Sequence, residues 1–462
     1  MNRTVMEAVG GQAKNRPTCS QLGGCRPPPS SSRLLDLPEN EMRGNEMKGR
    51  LLLSAFVLTV VGAVAGLSQA APGQLRGAGG TDFASFSWTE VRPSTPPGPA
   101  SWAPRAGLQA VELRDSVFVM GGRTPLPPVT IPGLPFPVPV STIWQDVWRS
   151  GDRGATWSQV TPGASWPARA YFQAVTKGGE MFVLGGQNFK AGPGAGCTPP
   201  AVSCSDFFND VWSSRDGADW KLLTPNAGWQ VRAGLSAIVH RGAIYVLGGS
   251  QNDDASTVPG APPSRIYFND VWKSKDGRRW TRVVERAPWK ARAGAVLVEK
   301  EGWIYLLGGE EGFTCSDPTK PCPPYFNDVW RSRDGAKWER VTPAADWSPR
   351  PGHQCAVLLD RFVCFGGFGL PPFGNPLGPP SNPMDIWESK DGDAWTLVAG
   401  SPWNATQPLD VKYDFDVLVL KGGRGGKRPS IYTFGGDRET FDFLDPGNYL
   451  RVDNDVWRFG PS

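Results

Sequence analysis

Five arginines and a lysine recur at one place in a repeated phrase: Arg105, Arg169, Arg232, Arg292, Arg350 and, by a looser alignment, Lys412. Each arginine stands at the same offset before a Gly-Gly pair. Six cations around one opening would attract a carboxylate, sulfate or phosphate. A second reading stands beside this one. Asp146, Asp210, Asp270, Asp328, Asp385 and Asp455 open a later segment of the same repeats, so the six cations and six carboxylates could form one structural ion pair per repeat. Trp102, Trp166, Trp229, Trp289 and Trp347 stand three residues before the arginines, and Trp403 holds the related place in the last repeat. An indole there could stack on a sugar ring or plug a gap between repeats.

Acid–base chemistry has fewer candidates. His353 is the imidazole near the arginine set and a weak candidate for a base; His240 falls on the opposite side of the repeat. Glu310, Glu311, Asp414 and Asp416 are the carboxyls available nearby, without a motif spacing that assigns them a role. No cofactor is implied. The cysteines that follow the leader form close pairs, Cys197 with Cys204, Cys315 with Cys322 and Cys355 with Cys364, and read as disulfides rather than a metal site because the spacing is not CxxC.

These residues must be positioned by the repeat itself. The phrase Phe-Asn-Asp-Val-Trp-x-Ser-x-Asp-Gly-x-x-Trp occurs at 208–220, 268–280 and 326–338, with looser copies at 144–157 and 383–395 and a truncated one at 454–457. Each copy follows a segment closing in Gly-Gly. The repeat reads as four short strands: A over 235–239, B over 244–247, C over 270–273 and D over 280–283. An Asp-Gly hairpin joins C to D. Four antiparallel strands make one propeller blade. Six blades are expected, all-β, with 86–91 supplying the D strand that the last blade lacks and so closing the ring. Strands A begin, B end and C begin on one face. The long insertions (123–142, 187–206, 250–266, 310–324 and 368–383) are all B–C loops there, which makes that face the expected binding face. Two stretches, 126–140 and 370–380, are apolar and Pro-rich, which suits a partner-binding patch or stiff decoration.

Composition fits export and excludes other classes. Net charge is +4 on 462 residues, with no basic block to suggest nucleic acid. Lys48 and Arg50 precede an apolar run over 51–65 followed by small residues, a secretory signal by pattern and short for a membrane span. The expected organisation is an extension over 1–46 from a misassigned start or a disordered leader, a signal peptide over 47–71, a linker over 72–85 and the propeller over 86–462. A monomer is expected, with no stable membrane span once the signal is cleaved. Asn404-Ala405-Thr406 is a glycosylation sequon.

The Gly-Gly after strand B, the aromatic in strand C and the Trp opening strand D resemble the Kelch-repeat family over nearly all of the mature chain. The turn over 150–157 also resembles the Asp-box of sialidases and other propellers, where it is a structural turn. The Kelch resemblance implies a propeller but no single activity, since such propellers include adaptors, enzymes and lectin-like binders. The expected function is a binding module engaging a glycan, an acidic small molecule or a protein on the B–C face. The alternative is a sugar-acid mutarotase or epimerase resembling N-acetylneuraminate mutarotase. A galactose-oxidase-like copper enzyme is disfavoured, because its site needs two His, two Tyr and an unpaired Cys. A sialidase is disfavoured for want of a separate Arg triad.

Overall fold

Short runs of four or five residues, either continuously apolar or alternating and punctuated by Gly-Gly and Asp-Gly, form strands in the computed structural model, which has no α-helix among the described residues. The structure describes residues 83, 85–130, 138–191, 197, 203–251, 265–312, 325–368, 385–400, 412–421, 428–439, 447 and 450–462. The leader, the signal-like run, the linker as far as residue 82, Cys315, Cys322, Trp403, the sequon and the 370–380 stretch lie outside them.

Six four-stranded antiparallel sheets form the blades of a β-propeller. In chain order, blade 1 is β2 (Gln109–Leu113), β3 (Ser116–Met120), β6 (Val147–Ser150) and β7 (Ser158–Thr161). Blade 2 is β8 (Gln173–Lys177), β9 (Glu180–Leu184), β12 (Val211–Ser214) and β13 (Lys221–Thr224). Blade 3 is β14 (Ser236–His240), β15 (Ala243–Leu247), β18 (Val271–Ser274) and β19 (Thr281–Val284). Blade 4 comprises β20 (Val296–Lys300), β21 (Trp303–Glu310), β22 (Tyr325–Ser332) and β23 (Glu339–Thr342). Blade 5 comprises β24 (Gln354–Leu358), β25 (Arg361–Phe365), β26 (Asp385–Ser389) and β27 (Thr396–Gly400). Blade 6 takes β28 (Asp416–Leu420), β29 (Ser430–Asp437) and β30 (Val452–Pro461) from the end of the chain. Its outer strand is β1 (Phe86–Arg92), with Trp88 opposite Phe459. The expected closure is therefore the observed one, and the strand bounds shift from the sequence reading by a residue.

The repeated words of the phrase are packing devices. Ser150 Oγ accepts the Gly154 amide at 2.7 Å, and the Asp152 carboxylate accepts the Thr156 amide and hydroxyl at 2.9 and 2.6 Å. The shorter copies repeat this with Ser214 and Asp216, Ser274 and Asp276, Ser332 and Asp334, and Ser389 and Asp391. In these turns the serine hydroxyl and at least one aspartate oxygen are engaged by the turn's own amides. Asn269 and Asn327 each reach the linker that follows strand D and donate to the carbonyls of Trp289 and Trp347 at 3.1 and 2.9 Å.

The linker tryptophans are wedges between blades. Trp102, Trp166, Trp229, Trp289 and Trp347 are buried. They meet Trp157, Trp220, Trp280, Trp338 and Trp395 edge-to-face at centroid distances of 5.9–6.1 Å. This corrects the expectation that they might stack on sugar: no face of any of the five is open to a ligand. Of the expected disulfides, Cys197–Cys204 and Cys355–Cys364 are formed. The second joins directly opposed positions on β24 and β25.

One expectation about the B–C insertions changes. Three of them begin and end as β-ribbons rather than loops: β4 (Arg123–Val129) with β5 (Val138–Ile143), β10 (Gln187–Ala191) with β11 (Ser203–Phe207), and β16 (Ser250–Gln251) with β17 (Ile266–Tyr267). Strands B and C resume pairing beyond the Gly-Gly, so the insertions rise as ribbons over that face. Leu126 and Ile266 on these ribbons are exposed.

Candidate functional site

The repeated arginines are closed into ion pairs. Arg105 is buried and bonds Asp146 through both terminal nitrogens, at 2.5 and 3.0 Å. Its Nε donates to Ala103 O and its Nη1 to Gly121 O. Asp146 also accepts the Trp148 indole N–H at 2.8 Å. The module repeats at Arg169 with Asp210, Arg232 with Asp270, Arg292 with Asp328, and Arg350 with Asp385. Phe208, Phe268 and Phe326, or Trp144 in blade 1, lie under the guanidinium at 3.9–4.6 Å. Lys412 takes the same place in blade 6 and meets Asp455 at 2.5 Å and Asp453 at 3.1 Å. These six cations tie strand C to the linker before strand A. That is the structural pairing rather than an anion site, and it removes the charge argument for an acidic ligand.

His353 is likewise structural. It occupies the position three residues after the arginine, filled in the other blades by Leu108, Phe172, Leu235, Ala295 and Phe415. The ring packs on Trp347 at 5.2 Å and covers Gly308 of blade 4. Burial, with Arg350 beside it, holds its pKa down to about 3, so the ring stays neutral and is too weak a base to take up a proton at neutral pH. Glu311 pairs with Lys290. Asp416 faces the channel, where its carboxyl accepts the Ala110 amide of blade 1 at 2.6 Å; burial lifts its pKa to about 7. Gln109 and Gln173 span neighbouring blades in the same way.

The channel they line has a volume of about 450 Å³. Its mouth on the B–C face is a ring of six residues in the left-handed region: Gly107, Tyr171, Gly234, Gly294, Gly352 and Asp414, with φ between 51° and 66°. Five backbone hydrogen bonds of 2.8–3.1 Å join them in order round the axis. Glycine is the residue that tolerates this conformation, so Tyr171 and Asp414 break both the symmetry and the local preference. The Tyr171 ring lies over Gly107, an Asp414 oxygen over Gly352 and the Glu310 carboxyl over Gly294, where a Cβ would collide with or crowd them.

Just outside this ring stand the residues that follow each Gly-Gly: Arg123, Gln187, Ser250, Glu310, Phe368 and Asp437. Here the blades stop agreeing. Arg123 of blade 1 bonds Asp437 of blade 6 and donates from Nε to the Tyr171 hydroxyl of blade 2 at 2.7 Å. Its side chain is 20% exposed, that of Asp437 is fully buried, and among the described residues no partner meets Arg123 Nη1. Burial works against the Arg123 charge, but its neighbours, the Tyr171 hydroxyl and the Asp437 carboxyl foremost, more than offset it and keep the guanidinium protonated. Burial pushes Asp437 up and Arg123 draws it back, and its carboxylate accepts the Glu439 amide at 2.9 Å. Glu439, two residues along, is pushed up to about 8 by burial and by Asp437, so it carries a proton at neutral pH. Burial raises the Tyr413 phenol well above its ordinary range. Of this cluster, sequence reading singled out Glu310 and Asp414 but not Arg123, Tyr171, Tyr413, Asp437 or Glu439. Comparing the blades column by column at the two ring positions would have exposed Arg123, Tyr171 and Asp437.

No protein-family description matches the chain, and no curated protein does. Among 308 matching chains of solved structures, the structure of YjhT is similar with a TM-score of 0.53 at 16% identity, over 79% of this chain and 96% of that one. At that identity the likeness concerns the fold alone.

Proposed function

We propose that the chain is an exported binding propeller whose B–C mouth takes a hydroxyl-rich ligand of the glycan class. The observation that carries this reading is the three-blade cluster of Arg123, Tyr171 and Asp437, set where the other blades carry unrelated residues. Carboxyls, phenols and a guanidinium around one opening supply acceptors and donors suited to vicinal hydroxyls. Carboxyls outnumber cations there and Arg123 is already shared with Asp437, which disfavours the acidic-ligand variant. Export is supported by the signal-like run and by the two disulfides, which suit an oxidising compartment. Binding to a panel of neutral and acidic oligosaccharides tests the reading. Arg123→Ala should abolish retention of the bound class, and retention of no sugar by the wild type would sink it.

A second reading rests on Glu439. A protonated carboxyl beside Asp437 is the arrangement from which acid–base pairs are built. It supports the sugar-acid mutarotase alternative. NMR of anomer exchange in N-acetylneuraminate, with wild type and Glu439→Gln, decides it: an exchange rate unchanged by the wild-type protein ends this alternative.

A further inference from the structure

We propose that Tyr171 is the positioning residue of the mouth: it fixes the Arg123 guanidinium so that Nη1 is presented to ligand hydroxyls. The inference rests on the binding reading above and names the residue on which that reading turns.

Three features carry it. First, Tyr171 sits with φ 54° at a ring place that is glycine in four of the six blades. A bulky residue there is strained, and its phenol is the group that glycine lacks. Second, that phenol crosses from blade 2 to accept Arg123 Nε at 2.7 Å, while Asp437 comes from blade 6 to hold Nη2. Two fixed bonds at different nitrogens of a planar group determine its orientation. The remaining nitrogen, Nη1, belongs to a side chain that is 20% exposed. Third, the Tyr171 ring lies over Gly107, whose lack of a Cβ makes the room: an added Cβ would come within 3.0 Å of the ring. Glycine at 107 and tyrosine at 171 are thus one device, and the guanidinium is held across blades 6, 1 and 2. The device spans the seam where β1 closes the ring.

Tyr171→Phe removes the acceptor but keeps the ring over Gly107. Tyr171→Gly installs the residue of the other blades and relieves the strain. Both should fold, since neither adds volume. Two readouts are needed, one of them free of ligand. In protein labelled with 15N-arginine, the Arg123 Nε–H resonance, assigned by its loss in Arg123→Lys, should be slow to exchange in wild type. It should shift and exchange quickly in both variants. On the oligosaccharide panel, both variants should bind the retained sugar about tenfold more weakly, a loss the size of one hydrogen bond to a charged group, with melting temperatures close to wild type. An Nε–H resonance and a sugar affinity both unchanged in Tyr171→Phe would overturn the proposal. A resonance that changes while no wild-type protein binds any sugar would uphold the positioning and refute the glycan reading instead.

Discussion

Two kinds of arginine–aspartate pair lie on the same face, and they differ in repetition, in the blades they join and in what they leave exposed. The outer set, represented by Arg232 and Asp270, is repeated around the ring, bonded through both terminal nitrogens and sandwiched on an aromatic ring. The inner pair, Arg123 and Asp437, occurs once, spans two blades and leaves Arg123 partly exposed. Repetition goes with closure of the scaffold; singularity goes with an open donor. Residue type alone does not separate the two roles, but symmetry and satisfaction of hydrogen bonds do.

The comparison breaks most visibly on stability. Asp270→Ala leaves the buried Arg232 charge without its partner and should cost about 3–5 kcal/mol in urea unfolding. Arg123→Ala leaves the buried Asp437 with the Glu439 amide and with a pKa already raised by burial, so the carboxyl can take up a proton rather than stand as a lone charge, and the cost should be about half as much or less. Equal losses would erase the distinction. Removing the Cys355–Cys364 bridge by a double alanine substitution should cost about 2–3 kcal/mol, because its short loop constrains the unfolded chain little. A loss no larger than that of a surface substitution would show that the bridge adds nothing to blade 5.

The pH dependence separates scaffold from mouth by sign. His353 is held neutral with its pKa near 3, below its ordinary 6.5, so the unfolded chain binds the extra proton in that window. Its contribution is therefore present above about pH 6.5 and lost as pH falls towards 3. Glu439 is the reverse. Its folded value of about 8 lies above the ordinary 4.5, so the native state holds the extra proton, and stability declines as pH rises between those values. Asp416 acts in the same direction up to about pH 7. His353→Leu, which copies Leu108 and Leu235, should flatten the acid limb of a denaturation series, and Glu439→Gln the alkaline limb. Flattening of the same limb by both would contradict the assigned charge states.

Much of the scaffold was legible in the sequence, for a physical reason. Turns such as Asp276-Gly277 and wedges such as Trp289 must recur in every blade, so repetition advertises them. Closure by β1 was legible because 86–91 looked like a strand D without a blade. The ribbons β4–β5 and β10–β11 were not, because Gly-Gly reads as an end to a strand, whereas here the ladder resumes beyond it. The mouth was half legible. The long B–C insertions pointed to the face of the proposed mouth, yet Arg123 drew no attention beside arginines that repeat. Tyr171 matters because its backbone is in a glycine conformation, a property that its letter in the sequence does not display.

The most direct test sets the two arginine classes against each other on one ligand. The oligosaccharide retained best by the wild type is titrated by calorimetry against Arg123→Ala, and against the double variant Arg232→Met with Asp270→Leu, which removes a scaffold pair without leaving a lone charge. The expected result is affinity lost at least tenfold in Arg123→Ala at a temperature where the variant is still folded, and affinity retained in the scaffold variant. Undiminished affinity in Arg123→Ala, with loss in a folded scaffold variant, would return the ligand to the repeated ring and contradict the account.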